Sequence, residues 1–186
     1  MNPTSNKSDF EDLTTNLKDL AYSYLEKYSP SKQQLKIFLL KKYLFKIKGS
    51  KSKKEVSLII DEIIANLEKK KFLNDELYSD SKARMFLRRG YSLNKINQSL
   101  RNKGIENKFI EKSINKIKED KIEPDFVSAL KLCKRRRIGP LRPGANRELF
   151  YKKDMGILAR GGFNFDLSKR VLNLDLSEFN KLLKII

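Results

Sequence analysis

Helical spacing of apolar residues is the feature that most constrains the fold of this chain. In the first long segment, one face carries apolar side chains at intervals of three and four, the period of an amphipathic α-helix. These are Leu13, Leu17, Leu20, Ala21, Tyr24, Leu25 and Tyr28. Similar stripes follow along the chain, and no stretch alternates with the period of two that marks a β-strand. The sequence therefore predicts an all-α protein.

Glycine, proline and capping residues divide the predicted helices. A first helix is predicted from about Phe10 to Tyr28, and Ser29-Pro30 is predicted to end it and to start the second helix, with Ser29 as its N-cap. The segment KIKGSKSKK (46–54) is predicted to be a basic, flexible loop. LRPGANREL is predicted to be irregular, with a helix from about Glu148. The remaining predicted caps, starts and stops are Asn74, Gly90, Ser92, Gly104, Pro124, Gly139, Gly161 and Asp166.

Three segments share one plan of a long helix, a second helix and a short helix. Leu39–Leu44, Leu100–Ile105 and Leu158–Phe163 align with one another, as do the corners Tyr28-Ser29-Pro30, Tyr91-Ser92-Leu93 and Ile138-Gly139-Pro140. A single unit of this size is marginally stable, and stacking buries the face that each unit leaves open. We expect an elongated, slightly curved tandem array of three three-helix repeats. The predicted divisions are a flexible N-terminus (1–9), repeat 1 (10–72, with the basic loop 46–54), repeat 2 (73–120) and repeat 3 with a C-terminal helical segment (121–186).

The charge is strongly basic and unevenly distributed. Lys and Arg number 41 against 23 Asp and Glu, which gives a formal net charge of +18. A charge of this size attracts polyanions, so nucleic acid, an acidic protein face and an anionic membrane are all open as partners. All eleven arginines lie between Arg84 and Arg170. Because the planar guanidinium suits phosphate and carboxylate groups, this part of the chain is the predicted working surface.

Several classes of chemistry are excluded by composition. The chain has no His and a single Cys, Cys133, so His-based catalysis, a structural zinc site and an intrachain disulfide are ruled out. No pair of carboxylates is poised for acid–base work, and no Gly-rich phosphate loop is present. We therefore expect a non-enzyme without metal or cofactor. Without an apolar stretch typical of a signal peptide or a membrane span, the chain is expected to be cytoplasmic and not to bind a membrane.

A family resemblance is carried by residues 72–105, FLNDELYSDSKARMFLRRGYSLNKINQSLRNKGI. Asn74-Asp75-Glu76, Tyr78, Arg84, Gly90-Tyr91 and the run Leu100–Ile105 resemble the central signature of the RecX family of recombination regulators. The segments RRRIGPLRP and LARGGF resemble a form found in some members. The likeness covers about residues 15–175. It departs from the family at Tyr43, where a glycine is usual, and at the 46–54 insertion.

The resemblance implies a fold and a function. RecX-like proteins are cytoplasmic tandem three-helix repeat proteins without enzymatic activity. They lie in the groove of the RecA recombinase filament on single-stranded DNA and modulate it, usually as inhibitors. For this chain the resemblance implies a monomeric regulator of homologous recombination, DNA repair and the SOS response, and it leaves direct contact with single-stranded DNA open. Two alternatives stay open: a stand-alone basic nucleic-acid-binding helical module, and an adaptor for another acidic protein.

Candidate contact residues follow from the arginine distribution. Arg84 is expected to serve packing, for instance by pairing with Asp80, and Tyr91 is expected to pack rather than to stack on a base. Cys133 is expected to be inert core. The basic run that starts at Lys134 exceeds what a helix dipole needs, since the segment 121–160 holds 11 Lys and Arg against 4 Asp and Glu. The predicted partner-binding residues are Arg88, Arg89, Arg101, Lys103, Lys134, Arg135, Arg136, Arg137, Arg142 and Arg147.

Overall fold

Every regular element is helical in the computed structural model, which describes residues 3–46, 52–120 and 122–185. The predicted all-α class is therefore confirmed for these ranges. A single 3-10 turn, Gly139–Leu141, interrupts the series of α-helices. The α-helices are α1 Pro3–Lys27, α2 Lys32–Lys46, α3 Lys53–Lys69, α4 Asp75–Arg88, α5 Leu93–Arg101, α6 Asn107–Asp120, α7 Pro124–Arg136, α8 Gly144–Arg160, α9 Phe165–Leu172 and α10 Leu176–Ile185.

The first two helices begin at positions other than those predicted. α1 starts at Pro3 rather than near Phe10, and the flexibility of the 1–9 segment stays a prediction. The predicted N-cap Ser29 is wrong, because α2 is capped by Ser31. The Ser31 Oγ accepts a hydrogen bond from the Gln34 backbone N–H at 3.2 Å, and the Gln34 Oε1 accepts one from the Ser31 N–H at 3.2 Å. This reciprocal pair is a capping box, so both the cap and the first helical residue lie two positions later than predicted.

Two further boundaries differ from the prediction, whereas α2 passes through Tyr43, whose side chain is buried in the core, and ends at Lys46, close to the predicted end near Leu44. α8 begins at Gly144 rather than near Glu148, and its first turn is closed by the Pro143 carbonyl, which accepts from the Asn146 N–H at 2.8 Å. α9 is capped by Asn164 instead of Asp166, because the Asn164 Oδ1 accepts from the Leu167 N–H at 2.9 Å.

The structure describes only part of the basic loop predicted at 46–54. Residues 47–51 lie outside the described residues, whereas Ser52 caps α3. The Ser52 Oγ accepts from the Glu55 N–H at 3.3 Å, and Glu55 accepts from the Ser52 N–H at 2.8 Å. The C-terminal end of the predicted loop is therefore the cap and first turn of a helix.

The chain forms two compact units. The first comprises residues Met1–Tyr78 together with Lys103–Ile105, and the second comprises Ser79–Asn102 and Glu106–Ile186. This division does not test the three predicted repeats, which stay a prediction.

Each unit has its own apolar core. In the first unit, the apolar stripes of α1, α2 and α3 meet, and the most buried side chains include Leu17, Leu35, Leu39, Val56 and Ile60. In the second unit, α7, α8, α9 and α10 pack around Leu130, Leu158, Val171 and Phe179. Cys133 belongs to this second core, and burial, together with the charge of Asp154, raises the pKa of its thiol to about 12. Its expected place in the core is confirmed.

A hydrogen-bonded joint in the first unit connects the start of α2 with residues far along the chain. The Ser31 Oγ donates to the Lys103 carbonyl oxygen at 2.8 Å, and the Lys32 N–H donates to the Asp75 Oδ1 at 2.9 Å. Gly104 has φ +74°, and a Cβ there would lie 2.6 Å from the Gln33 Cγ. Only glycine combines this left-handed backbone with so close an approach. We call this arrangement the first joint: Ser31, Lys32, Asp75, Lys103 and Gly104.

A similar arrangement recurs in the second unit, at the start of α5, where the donor to the carbonyl is the backbone N–H of the serine instead of its hydroxyl. The Ser92 N–H donates to the Gly161 carbonyl oxygen at 3.2 Å, and the Leu93 N–H donates to the Asp125 Oδ1 at 2.7 Å. Gly162 has φ +88°, and a Cβ there would overlap the Ser92 Oγ. In both joints the acceptor is the carbonyl that precedes a left-handed glycine, and an aspartate accepts from the residue after the capping serine. We call this arrangement the second joint: Ser92, Leu93, Asp125, Gly161 and Gly162.

We expect Gly162→Ala to lower the free energy of unfolding by about 2 kcal/mol or more, because a Cβ is strained at positive φ and collides with Ser92. The matched control is Gly144→Ala at the start of α8, where a Cβ meets nothing within 4 Å. This control should leave stability unchanged or raise it by up to about 1 kcal/mol. Urea denaturation followed by circular dichroism measures both, and equal midpoints for the two variants would contradict the joint.

Tyr78 gives a prediction for alkaline pH. Its hydroxyl donates to the Gln34 Oε1 at 2.8 Å, and burial, followed by the nearby charge of Asp75, raises its pKa to about 12. Because an unfolded tyrosine has a pKa of about 10, the folded chain holds this proton more tightly. The contribution of this proton to the free energy of unfolding is fully present below pH 10 and is lost as pH rises towards 12. Denaturation midpoints between these values should fall less steeply for Tyr78→Phe than for the parent chain; identical slopes would refute this.

Candidate anion-binding site

Four of the eleven arginines form ion pairs or hydrogen bonds within the second unit. Arg142, whose side chain is 18% exposed, donates from Nε and Nη2 to the two carboxylate oxygens of Asp154, both at 2.7 Å. Asp154 is almost fully buried and also accepts from the Gly139 N–H at 2.9 Å. The hydrogen bond to Asp154 raises the pKa of Arg142, and the guanidinium also lies over the Phe150 ring at 4.6 Å.

Each of the other three arginines connects its own helix to the end of another helix. The Arg147 Nη2 donates to the carbonyl oxygens of Leu172 and Leu174 at 2.8 and 2.7 Å. The Arg84 guanidinium lies 3.6 Å from Asp120, while Arg170 pairs with Glu123 at 2.8 Å. Arg84 therefore has the internal role expected for it, although its ion-pair partner is not Asp80.

The predicted contact residues Arg142 and Arg147 thus already use their guanidinium donors within the second unit. Contact of these two residues with a partner stays a prediction.

The remaining seven arginines are exposed, and within the described ranges none forms an ion pair with a carboxylate. Their charges are therefore available to an external anion. They are Arg88, Arg89, Arg101, Arg135, Arg136, Arg137 and Arg160.

An open pocket of about 390 Å³ in the second unit gathers three of these arginines. Arg135 and Arg136 come from the last turn of α7, Arg160 is the last residue of α8, and Lys95 lies in the first turn of α5. No acidic residue is among the side chains that surround the pocket. We call it the basic pocket; its lining is Tyr91, Lys95, Leu132, Arg135, Arg136, Ile157, Arg160 and Gly161.

The second joint is part of the wall of the basic pocket. Gly161 lines the pocket and accepts from the Ser92 N–H, while the Ser92 Oγ caps α5 by accepting from the Lys95 N–H at 3.0 Å. The ends of α7 and α8 and the start of α5 therefore meet at one place. Cations at the ends of α7 and α8 complement the helix dipoles, which accounts for part of this charge. Four cations without a carboxylate exceed that need and suit the binding of an anion.

Tyr91 stands immediately before the capping serine. It is half-buried, and its ring stacks on Phe86 with centroids 5.3 Å apart and planes 1° apart. The expected packing of the ring is therefore confirmed, whereas the expectation that it does not stack on a base stays a prediction. The same side chain also lines the basic pocket, so its ring is held in a fixed orientation at the pocket wall.

Only some of the predicted contact residues come together. Arg135 and Arg136 line the basic pocket, whereas their neighbours Lys134 and Arg137 are exposed beside it and are not among the lining residues. The other predicted residues lie elsewhere: Arg88 in the last turn of α4 with Arg89 immediately after it, Arg101 at the end of α5, and Lys103 in the first unit, where its carbonyl belongs to the first joint.

Two lining cations, Lys95 and Arg160, were not predicted as contact residues. Both have a sequence signal that could have identified them. Arg160 directly precedes the glycine pair Gly161-Gly162, and Lys95 is the third residue after the capping Ser92. The contact between that glycine pair and that cap brings both cations to the pocket.

Chemically, the basic pocket can bind and orient an anionic group. Over the part of the chain that is described, no cluster of three or more Cys, Asp or Glu side chains could hold a metal ion. None of the described helices is both long and apolar enough to span a membrane.

Comparison with known proteins identifies the family. Over 162 residues, which are 86% of this chain, the sequence is 33% identical to Regulatory protein RecX of Myxococcus xanthus (strain DK1622) and covers 85% of that protein. This chain belongs to the RecX family. No family model and no solved structure matches it.

The residues that carry the RecX likeness lie at and around the two joints. Asn74 caps α4 by accepting from the Leu77 N–H at 3.0 Å, and Asp75 accepts from Lys32 in the first joint. The run Leu100–Ile105 ends α5 and supplies Lys103 and Gly104 to the same joint. Gly90-Tyr91 leads into the second joint at Ser92. In this RecX-family chain, the signature residues therefore form the caps, hydrogen bonds and close contacts of the joints.

The free energies of unfolding of Arg142→Ala and Arg136→Ala distinguish an ion-paired arginine from an exposed one without an ion pair. Arg142→Ala should lower the free energy of unfolding by about 3 kcal/mol, because it leaves the buried Asp154 carboxylate without its cation. Arg136→Ala, which removes an exposed side chain, should change it by less than about 0.5 kcal/mol. Chemical denaturation of both variants decides the point, and an unaffected Arg142→Ala protein would show that the ion pair does not stabilise this fold.

Proposed function

We propose that this chain is a regulator of homologous recombination and DNA repair that binds the RecA filament on single-stranded DNA and lowers its activity, without being an enzyme. The observation that carries the proposal is the 33% identity to Regulatory protein RecX over 86% of the chain. The relative is named a regulatory protein, which supports regulation, and the likeness of residues 72–105 to the RecX signature supports RecA as the target.

The charge distribution supports an acidic partner. A net charge of +18 steers the chain towards polyanions, and a filament on single-stranded DNA carries one phosphate per nucleotide. The uncompensated cations of the basic pocket supply a place where such a partner can be gripped. Exposed Arg88, Arg89 and Arg137 extend the set of available charges.

The proposal includes a monomeric, cytoplasmic chain built of three three-helix repeats (10–72, 73–120 and 121–186). The two joints support this organisation because each combines a capping serine, an aspartate from a first helical turn and a left-handed glycine in the same relative places. Repeats that are each built around the same kind of joint present similar faces at regular intervals. Such faces suit a repetitive partner such as a filament.

A second candidate function is favoured by the seven unpaired arginines: a basic module that binds naked nucleic acid. Such a module would bind DNA or RNA without RecA, and its affinity would fall steeply with salt. It would lower RecA activity only by competing for the strand.

The test is RecA's ATP hydrolysis, stimulated by single-stranded DNA, with this chain titrated in at near-physiological salt. The parent chain should suppress hydrolysis below stoichiometric amounts. Arg135→Ala/Arg136→Ala/Arg137→Ala should require about tenfold more protein, because three charge-assisted contacts are lost. The matched control, Lys118→Ala/Lys169→Ala/Lys181→Ala, removes the same charge from exposed positions outside the basic pocket and should inhibit like the parent.

Two outcomes would count against the proposal. If neither substoichiometric nor excess parent chain alters hydrolysis by RecA from the same source, the RecA assignment fails. If a DNA-binding protein of similar charge suppresses hydrolysis equally well, competition for the strand explains the effect, and the nucleic-acid module becomes the better reading.

A further inference from the structure

We propose that the basic pocket binds one nucleotide unit of a single-stranded nucleic acid, with the phosphate held by Arg136, Arg160 and neighbouring cations and the base against Tyr91. The inference deepens the proposed function and rests on it for the identity of the strand. It assigns a direct contact with the nucleic acid, separate from contact with the RecA protein.

The cations define the phosphate part of the site. Arg135, Arg136 and Arg160 bring three guanidinium groups to one pocket, and Lys95 adds an ammonium group. Guanidinium groups bind phosphate oxygens through paired, charge-assisted hydrogen bonds. Because no acidic side chain lines the pocket and none of these arginines is ion-paired within the described ranges, an entering phosphate meets only positive charge.

The ring of Tyr91 defines the base part of the site. Phe86 packs in parallel against Tyr91, which fixes the ring at the pocket wall before any ligand arrives. A fixed aromatic ring beside a cationic groove is the arrangement by which proteins hold unpaired bases of any sequence. Leu132 and Ile157 complete the wall with apolar surface, which suits the flat face of a base better than a second charged group.

Size and openness favour a nucleotide over an acidic side chain. The pocket volume of about 390 Å³ lies within the range of roughly 300–1,000 Å³ that is typical of small-molecule sites. A carboxylate of Asp or Glu needs neither this volume nor an aromatic wall. A duplex does not fit the site either, because its bases are stacked on one another and cannot present a free face to Tyr91.

The experiment measures binding of a short fluorescein-labelled oligothymidylate by fluorescence anisotropy, without RecA. Tyr91→Leu removes the ring but keeps apolar contact with Phe86, and it should weaken binding about tenfold. Tyr91→Phe keeps the ring and should bind within about twofold of the parent. Circular dichroism checks that both variants remain helical.

Salt dependence tests the phosphate part of the site separately. Arg136→Ala/Arg160→Ala should lower the slope of log affinity against log salt by about 0.7, since the two arginines hold one phosphate and each phosphate neutralised on a single strand contributes about 0.7. The control Lys118→Ala/Lys169→Ala, at exposed positions outside the pocket, should leave this slope as in the parent.

Competitors identify the ligand class. Displacement of the labelled strand by unlabelled oligothymidylate or by thymidine monophosphate, but not by a polyglutamate peptide, supports a nucleotide site. Tyr91→Leu and Tyr91→Phe binding alike, or polyglutamate competing as well as the oligonucleotide at equal charge, would overturn the proposal in favour of an acidic protein segment. Because RecA is absent, these results stand or fall independently of RecA regulation.

Discussion

The second joint is the contact on which the candidate site depends. The capping residue Ser92 donates its backbone N–H to Gly161, and its hydroxyl leaves no room for a side chain on Gly162. This contact places the start of α5 against the end of α8, and Asp125 from the first turn of α7 binds the next amide. Lys95, Arg160 and the end of α7 become neighbours for this reason, although they are far apart in sequence. The charge of the basic pocket is thus a consequence of a backbone contact.

The joint explains how so basic a chain can concentrate its charge without losing its fold. Arginines whose charge lies inside the unit are matched to carboxylates or carbonyls, as Arg142 is to Asp154 and Arg147 is to two carbonyl oxygens. A buried cation without a partner would be costly, so these positions combine positive charge with a local acceptor. The unpaired arginines stay exposed, and the joint collects three of them at the mouth of one pocket. The arginines that bind acceptors within the second unit are therefore different residues from those that line the basic pocket.

Much of the fold could be predicted from the sequence because helix signals are local. The stops at Gly90 and Gly104 and the cap at Ser92 all depend on neighbouring residues, and they are found where predicted. The errors have a common cause. Ser29 and Asp166 are plausible caps by residue type, but Ser31 and Asn164 are the residues whose side chains reach the free amides. Choosing between nearby caps requires the path of the chain, which depends on tertiary packing.

The site could be predicted only in part. The basic run at the end of α7 was identified from its composition, and two of its residues line the pocket. Lys95 and Arg160 could not be identified from charge alone, since single cations at helix ends are common. Arg142 is predicted to be a contact residue because it continues the basic run, and its partner Asp154 lies twelve residues further along, in the middle of α8. Spacing can suggest that two corners correspond, but only the folded chain shows that they touch.

The most direct test is hydrogen exchange of this chain, measured by mass spectrometry with and without the RecA filament on single-stranded DNA. The account predicts slower exchange on binding in segments 88–95, 132–137 and 157–162, which surround the basic pocket, and little change in α1 and α3. Protection confined to α1, α2 and α3, with the pocket segments exchanging as in the free chain, would contradict it.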